Sequence, residues 1–346
     1  MLARLAVAVI CGLGVSACGS GASVEVIKVG QAPVAIAGGW GDVWVADRNS
    51  NTVTRIDART GKVIGRIVVG QTPLAVAVGG PYVWVANSAD DTVTRIDGHS
   101  GRVVGRPIND HLKSDGIRVG EGPVGIATAG WEVWVINHDD ATLSLISALS
   151  GKLRAKPHQV GFIPAAITIG NGVMWVLDAS GSILRFDGCT GRASLDTLGI
   201  NPQAVAAHDR LLWVANGDED TVTRLAVSTG RAVGKPIKVG ALPSALTVDQ
   251  SSVWVVNQGD GTVTQIDART GTTVGTAIRV GSQPSAIAVD AGSVWVANQG
   301  DDTVTRLEGR GGLAIPEGEP EPLEDSCGAA LTTISLIGQR KGRGHE

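Results

Sequence analysis

The chain has 346 residues, 43% of them apolar, enough for one large core or two small ones, which excludes a disordered or fibrous organisation. Basic residues number 29 and acidic residues 33, a formal net charge of -4 with an isoelectric point near 5.9, so no sequence-wide basic surface exists for gripping phosphates and no nucleic acid partner is expected. Glycine is abundant at 48 and tryptophan numbers 9, against 2 Phe, 1 Tyr and 2 Met, a bias that gives the indoles a repeated structural task.

In chain order, the opening residues carry one positive charge at Arg4, then an apolar run over residues 5–15, then small residues before Cys18. Such a run is too short to span a bilayer core of about 30 Å as a helix, and it reads as a secretory signal. Val15-Ser16-Ala17-Cys18 resembles the bacterial lipobox. That resemblance implies a lipoprotein signal peptide over 1–17, an acylated Cys18 and a short tether over 18–23; an ordinary signal peptide cut nearby is the alternative. Several acyl chains on one cysteine hold a protein stably at a membrane, so the expected location is exported, extracytoplasmic and lipid-anchored. Cys189 and Cys327 are too far apart in sequence for their pairing to be deduced, and no C-x-x-C metal spacing occurs.

Seven tryptophans, Trp44, Trp84, Trp134, Trp175, Trp213, Trp254 and Trp295, are separated by 40, 50, 41, 38, 41 and 41 residues. Eleven residues before each stands a proline, from Pro33 to Pro284, and three before each proline a glycine, from Gly30 to Gly281. Two after each proline comes Ala or Gly, then Ile, Val or Leu. Three after each tryptophan comes Asp47, Asn87, Asn137, Asp178, Asn216, Asn257 or Asn298.

Each unit holds four short β-rich pieces, in the first VAIA, DVWVAD, TVTRID and KVIGRIVV, separated by Gly, Asn, Asp and Thr-Gly turn signals. Four strands in about 40 residues, repeated seven times, predict an all-β, seven-bladed β-propeller with four antiparallel strands per blade over residues 24–312. The proline opens the first strand, where no ladder donor is needed. The Asp or Asn closes the second, where a turn bonding its own backbone is expected. The Ala or Gly is expected to relieve crowding around the central channel, and each tryptophan to fill the space between neighbouring blades.

Residues 24–29, VEVIKV, stand before Gly30 as KVIGRIVV stands before Gly70, so they read as a fourth strand without its own blade. The seventh unit loses its fourth strand after Gly312. The N-terminal strand is therefore expected to close the last blade and remove the open edge; closure by residues 313–316 is the rival. An extra loop at 109–118 explains the 50-residue spacing, and residues 313–346, acidic and then basic, read as a mobile C-terminal tail.

The unit G-x-x-P-x-[AG]-[ILV], followed by W-V-x-[DN], TVTRID and Thr-Gly, resembles the YVTN/NHL-type propeller repeats of bacterial secreted proteins, a group that includes streptogramin lyase. The resemblance implies the fold. It leaves function open, because such propellers serve as enzymes, sensor ectodomains and binding platforms.

On a pseudo-symmetric ring, a residue present in every blade serves the scaffold, so a site is sought where blades differ. Arg55, Arg95, Arg185, Arg224 and Arg306 share one strand position and read as packed stems with local carboxylate partners rather than an anion site. Loops after the second strand and between blades gather on one face and include Asp90, Asp91, Asp139, Asp140, Asp301 and Asp302. Such a face attracts a divalent cation or a cationic ligand, while solvated turns account for any single loop. Blades three and four differ most from the consensus and supply the candidate ligand-binding set Glu121, His138, Asp139, Asp140, Phe162 and Asp178. Trp40 and Trp131 fall on the opposite face, either as contacts for a partner or membrane or as covers for the base of a blade.

Three functional readings follow. The first is a membrane-anchored binding or scaffolding module with an unidentified protein or small-molecule partner and no required cofactor. The second is a streptogramin lyase-like or hydrolytic enzyme, in which His138 works beside a divalent ion. The third is a structural cell-envelope protein without a small ligand.

Overall fold

The computed structural model describes residues 23–105, 116–170, 172–178, 180–187, 192–197 and 202–308; the expected signal and acylated tether before residue 23, most of the inserted loop, Cys189, Cys327 and the tail lie outside them. β1 (Ser23–Lys28) precedes a first blade of β2 (Pro33–Gly39), β3 (Asp42–Asp47), β4 (Thr52–Asp57) and β5 (Val63–Val68), antiparallel and paired in that order. The same meander recurs through seven sheets, a seven-bladed all-β propeller. First strands of consecutive blades lie side by side from β2 round to Pro284–Asp290, which returns to β2. Outer strands vary most, shrinking to Ile117–Arg118 in blade two and Ile237–Lys238 in blade five.

Closure is made by the N-terminal strand. β1 pairs antiparallel with the third strand of blade seven, Thr303–Glu308, in the register Ser23↔Glu308 to Lys28↔Thr303. Without it that third strand is an edge of unpaired N–H and C=O groups. Ile27 is buried in the core shared by blades seven and one, so the strand is held by packing as well as by its ladder.

All seven first strands carry the same bulge. Pro33 opposes Asp47, but Ala35 opposes Ala46, a one-residue slip repeated after every repeat proline. The slip aims the Ala or Gly at the following blade. Ala166, Ala204, Ala245 and Ala286 pack into cores shared with the next sheet, and a Cβ on Gly125 would lie 2.8 Å from Ile136 and 3.3 Å from Ile167 of blade four. Crowding between blades, not crowding at the channel, therefore selects the small residue. The first strand turns its unpaired edge toward the axis, and its side chains point sideways.

Each seam between blades is a separate apolar cluster built around one indole. Trp44 of blade one packs with Val83, Val85 and Ile96 of blade two, and Trp295 of blade seven with Val43, Val45 and Ile56 of blade one. Burying roughly 150–250 Å² per indole at about 25 cal/mol/Å² contributes on the order of 4–6 kcal/mol, an upper bound because the unfolded chain already hides some surface. Five of the seven seams add a guanidinium from the register-paired residue of the third strand: Arg55 lies 4.8 Å from the Trp44 ring and Arg306 5.1 Å from Trp295, with Arg95, Arg185 and Arg224 placed alike. Arg55, Arg185 and Arg306 also reach carboxylates, and those three and Arg95 reach neighbouring-blade carbonyls: Arg55 pairs with Asp42 at 2.5 Å and donates to the His99 carbonyl at 3.0 Å. They are scaffold.

The closing seam holds one poorly solvated carboxyl. Asp290 lies against Gly38 of blade one, and its Oδ2 has no hydrogen-bond partner. Burial, reinforced by the Asp42 charge, pushes its pKa up to about 6 from 3.8. The folded protein therefore binds this proton more tightly than the unfolded chain, so the contribution is most favourable at low pH and is lost as pH rises through about 6. Solvent screening reduces the cost at neutral pH to about 1 kcal/mol. Asp290→Asn is expected to raise stability at pH 7.5 by that amount and to leave it nearly unchanged at pH 4, read from denaturant midpoints at the two pH values.

Candidate functional site

The top face, where second-to-third-strand loops and blade connections gather, is bound together by a repeated polar staple. Asn298 donates to Thr303 at 3.0 Å and Thr305 at 2.9 Å, and its oxygen accepts the Gly281 N–H at 3.1 Å. Asp47 accepts from Thr52, Thr54 and the Gly30 N–H, and burial holds its carboxyl above the usual range despite those bonds. Asn87, Asn137, Asn216 and Asn257 repeat the link to their third strands. The Asp or Asn thus bonds across the sheet rather than capping its own turn. The repeat glycine is there for close approach: a Cβ on Gly30, Gly70 or Gly281 would come within 2.5 Å of the staple side chain. Asn298→Ala strands a buried N–H and two hydroxyls and is expected to cost about 2–3 kcal/mol in a denaturation measurement, whereas Asn298→Asp is milder.

The acidic loops are engaged in the same way. Asp90, Asp140, Asp260 and Asp301 each accept the N–H of the residue after the repeat glycine of their own blade, at 2.7–2.9 Å. Asp91, Asp220 and Asp302 latch each blade to the next, Asp302 accepting the Ala32 N–H at 2.8 Å.

Blades three and four break both devices. Leu184 stands where blade one has Thr54, so Asp178, almost fully buried, bonds the Ser180 N–H at 3.1 Å and the Ser180 hydroxyl instead. Gly161 turns away into open space at a φ of 82°, a conformation other residues rarely adopt. On the other side of the seam, Ala141 occupies the latch position, and His138 Nδ1 lies 3.3 Å from the Pro164 carbonyl. Gly181 and Gly261 also remove a latch, between blades four and five and between blades six and seven, but there Asn216 keeps its bonds to Thr221 and Thr223 and the Asn298–Gly281 staple remains.

The structure brings Glu121, His138 and Asp139 together on adjoining turns, with Asp139 N–H donating to the Glu121 carbonyl at 3.2 Å and all three side chains exposed. Asp140 lies beside them, but its carboxylate is committed to the Glu121 N–H and the Thr142 hydroxyl. Asp178 faces Pro164 across the sheet and serves its own turn. Phe162 is half-buried against the blade three–four core, and the exposed apolar group is Ile163, 51% accessible. Sequence reasoning passed over Ile163, although GFIP is the one copy of G-x-x-P with two large apolar residues inside it. Among the described residues no three metal-ligating side chains converge.

This is a seven-bladed propeller whose seam between blades three and four departs most from the repeat, and solved structures share its ring. Hydrazine synthase of Kuenenia stuttgartiensis is 17% identical, with 80% of this chain and 96% of that chain covered and a TM-score of 0.69. A streptogramin B lyase is 18% identical over 83% and 97% of the two chains, and virginiamycin B lyase from Staphylococcus aureus 18% over 84% and 100%, both with a TM-score of 0.69. Identity this low shows the fold alone. No family model matches the chain, and no curated protein does.

Proposed function

We propose that the chain is a membrane-anchored extracytoplasmic propeller that acts as a binding or scaffolding module, with its contact site on the top face at the seam between blades three and four. The observation that carries the reading is that this seam lacks both the latch and the bonds by which the closing Asp or Asn holds its third strand in the other blades. Their absence leaves an apolar ridge at Ile163 beside the exposed Glu121, His138 and Asp139, and such a surface suits a ligand with an apolar body and a cationic or donor group. Location rests on Arg4, the apolar run and the lipobox-like Val15–Cys18 stretch.

A photoreactive residue at Ile163 is expected to yield an adduct in cells, whereas the same group at Gln283, the equivalent position in stapled blade seven, yields none. Equal labelling from both positions contradicts the site. The anchor is read separately: Cys18→Ser is expected to move the protein from the membrane fraction to the medium, and retention in the membrane contradicts it.

A further inference from the structure

The base of the ring, opposite the candidate site, is not uniform. Trp40 and Trp131 are 51% and 48% exposed, and Leu149 is 66% exposed. Trp40 of blade one covers Gly98 of blade two, Trp131 of blade three covers Gly80 of blade two, and the Gly98 N–H donates to the Pro81 carbonyl at 3.0 Å. The two indoles therefore flank one hydrogen-bonded pair of turns. Leu149 extends the row, since its neighbour Ala148 donates to the Trp131 carbonyl at 2.8 Å. The corresponding first turns of blades five and six carry Asp209, Arg210 and Asp249.

Charge is arranged around this row. Arg59, Lys62, Arg102 and Lys152, all exposed, stand on the base hairpins of blades one to three. Most nearby carboxylates are engaged: Asp57 accepts from the Thr60 N–H and hydroxyl, Asp97 from those of Ser100, Asp42 pairs with Arg55 and Glu132 with Arg154, while Asp290 lies buried against Gly38. The chain also enters the ring on this side, because Ser23 pairs with Glu308 at the base end of blade seven, next to blade one. Cys18 precedes Ser23 by five residues, a reach of at most about 18 Å at 3.6 Å per residue.

We infer that the base of blades one to three is a docking face for an anionic lipid bilayer. The indoles of Trp40 and Trp131 insert at headgroup level, the basic rim meets lipid phosphates, and the acidic top face with its candidate site points away from the membrane. Paired exposed indoles ringed by basic side chains match the chemistry of that interface. The orientation rests on the membrane-anchored reading above; the docking chemistry rests on the base face itself.

The test uses the full chain with vesicles of seven parts phosphatidylcholine, brominated in its acyl tails, to three parts phosphatidylglycerol. Bromines quench only indoles that enter the bilayer, and the repeat tryptophans lie buried in the seams. Emission from the wild type is expected to fall, by no more than the share due to two of nine tryptophans. In Trp40→Phe with Trp131→Phe, which keeps an apolar face, quenching disappears. Replacing phosphatidylglycerol with unbrominated phosphatidylcholine, the brominated fraction kept constant, is expected to weaken quenching several-fold. Absence of quenching in the wild type, or undiminished quenching in the double variant, overturns the docking face. A protein that Cys18 keeps in the membrane fraction of cells but that shows no quenching refutes the docking alone. Quenching by a chain whose Cys18→Ser variant stays in the cell membrane upholds the docking and refutes the acyl anchor.

Discussion

Trp254→Ala is expected to lower the unfolding free energy by about 3–5 kcal/mol, because it removes the centre of a seam and the rigid ring relaxes into the cavity only in part. Trp254 packs with Val294, Val296 and Leu307 of blade seven, so the loss falls on the joint between two sheets. Its indole N–H also donates to Asp249 at 3.0 Å, and that carboxylate loses a partner. Trp44→Ala is expected to cost more. Trp44 is fully buried where Trp254 is 7% exposed, and it carries the Arg55 guanidinium on its face, whereas Trp254 is paired with Gln265. The comparison is made by chemical denaturation; midpoints for both variants close to wild type would contradict the wedge role of the indoles.

Removing residues 23–28 is expected to cost still more. The deletion strips a complete strand from blade seven, opens the ladder edge of Thr303–Glu308 and takes Ile27 out of the blade seven–one core. It also takes Glu25 from Arg306, which meets Glu25 and Glu308 at 3.5 and 3.4 Å beneath Trp295. Several kcal/mol of packing and pairing vanish together, and the exposed edge invites pairing with another chain. Self-association above the micromolar range and a melting temperature lower by more than 10 °C are expected. A monomeric truncation with wild-type melting would contradict closure by this strand.

Much of the ring was legible in the sequence because its geometric demands repeat. A proline at a bulge, a glycine under a staple and an indole in a seam each recur in seven copies, and the unpaired segment before Gly30 declared itself as the missing strand. What escaped was partnership across strands. The Asp or Asn after each tryptophan has the composition of a turn residue, and only the pairing register brings Asn298 opposite Thr303 and over Gly281. The repeat shows that the Ala or Gly after each proline must be small, but its place between blades rather than at the channel depends on a register slip that only the pairing reveals. The candidate seam was visible as drift at His138, Phe162 and Asp178. That the drift removes two specific links follows from knowing what Thr54, Asn51 and Asp91 do elsewhere: Asn51, for example, accepts the Thr72 N–H of the next blade at 2.8 Å.

Closure of the ring by its own N-terminal strand fixes the face on which the chain enters, and with it the orientation of every site discussed above. Hydrogen–deuterium exchange of the amides of residues 303–308 reads it directly. Those of the amides that bond β1 rather than the central strand Ser293–Asn298 are expected to exchange as slowly as that central strand in the intact chain and rapidly once residues 23–28 are removed. Rapid exchange in the intact chain, or slow exchange that survives the deletion, would contradict the account.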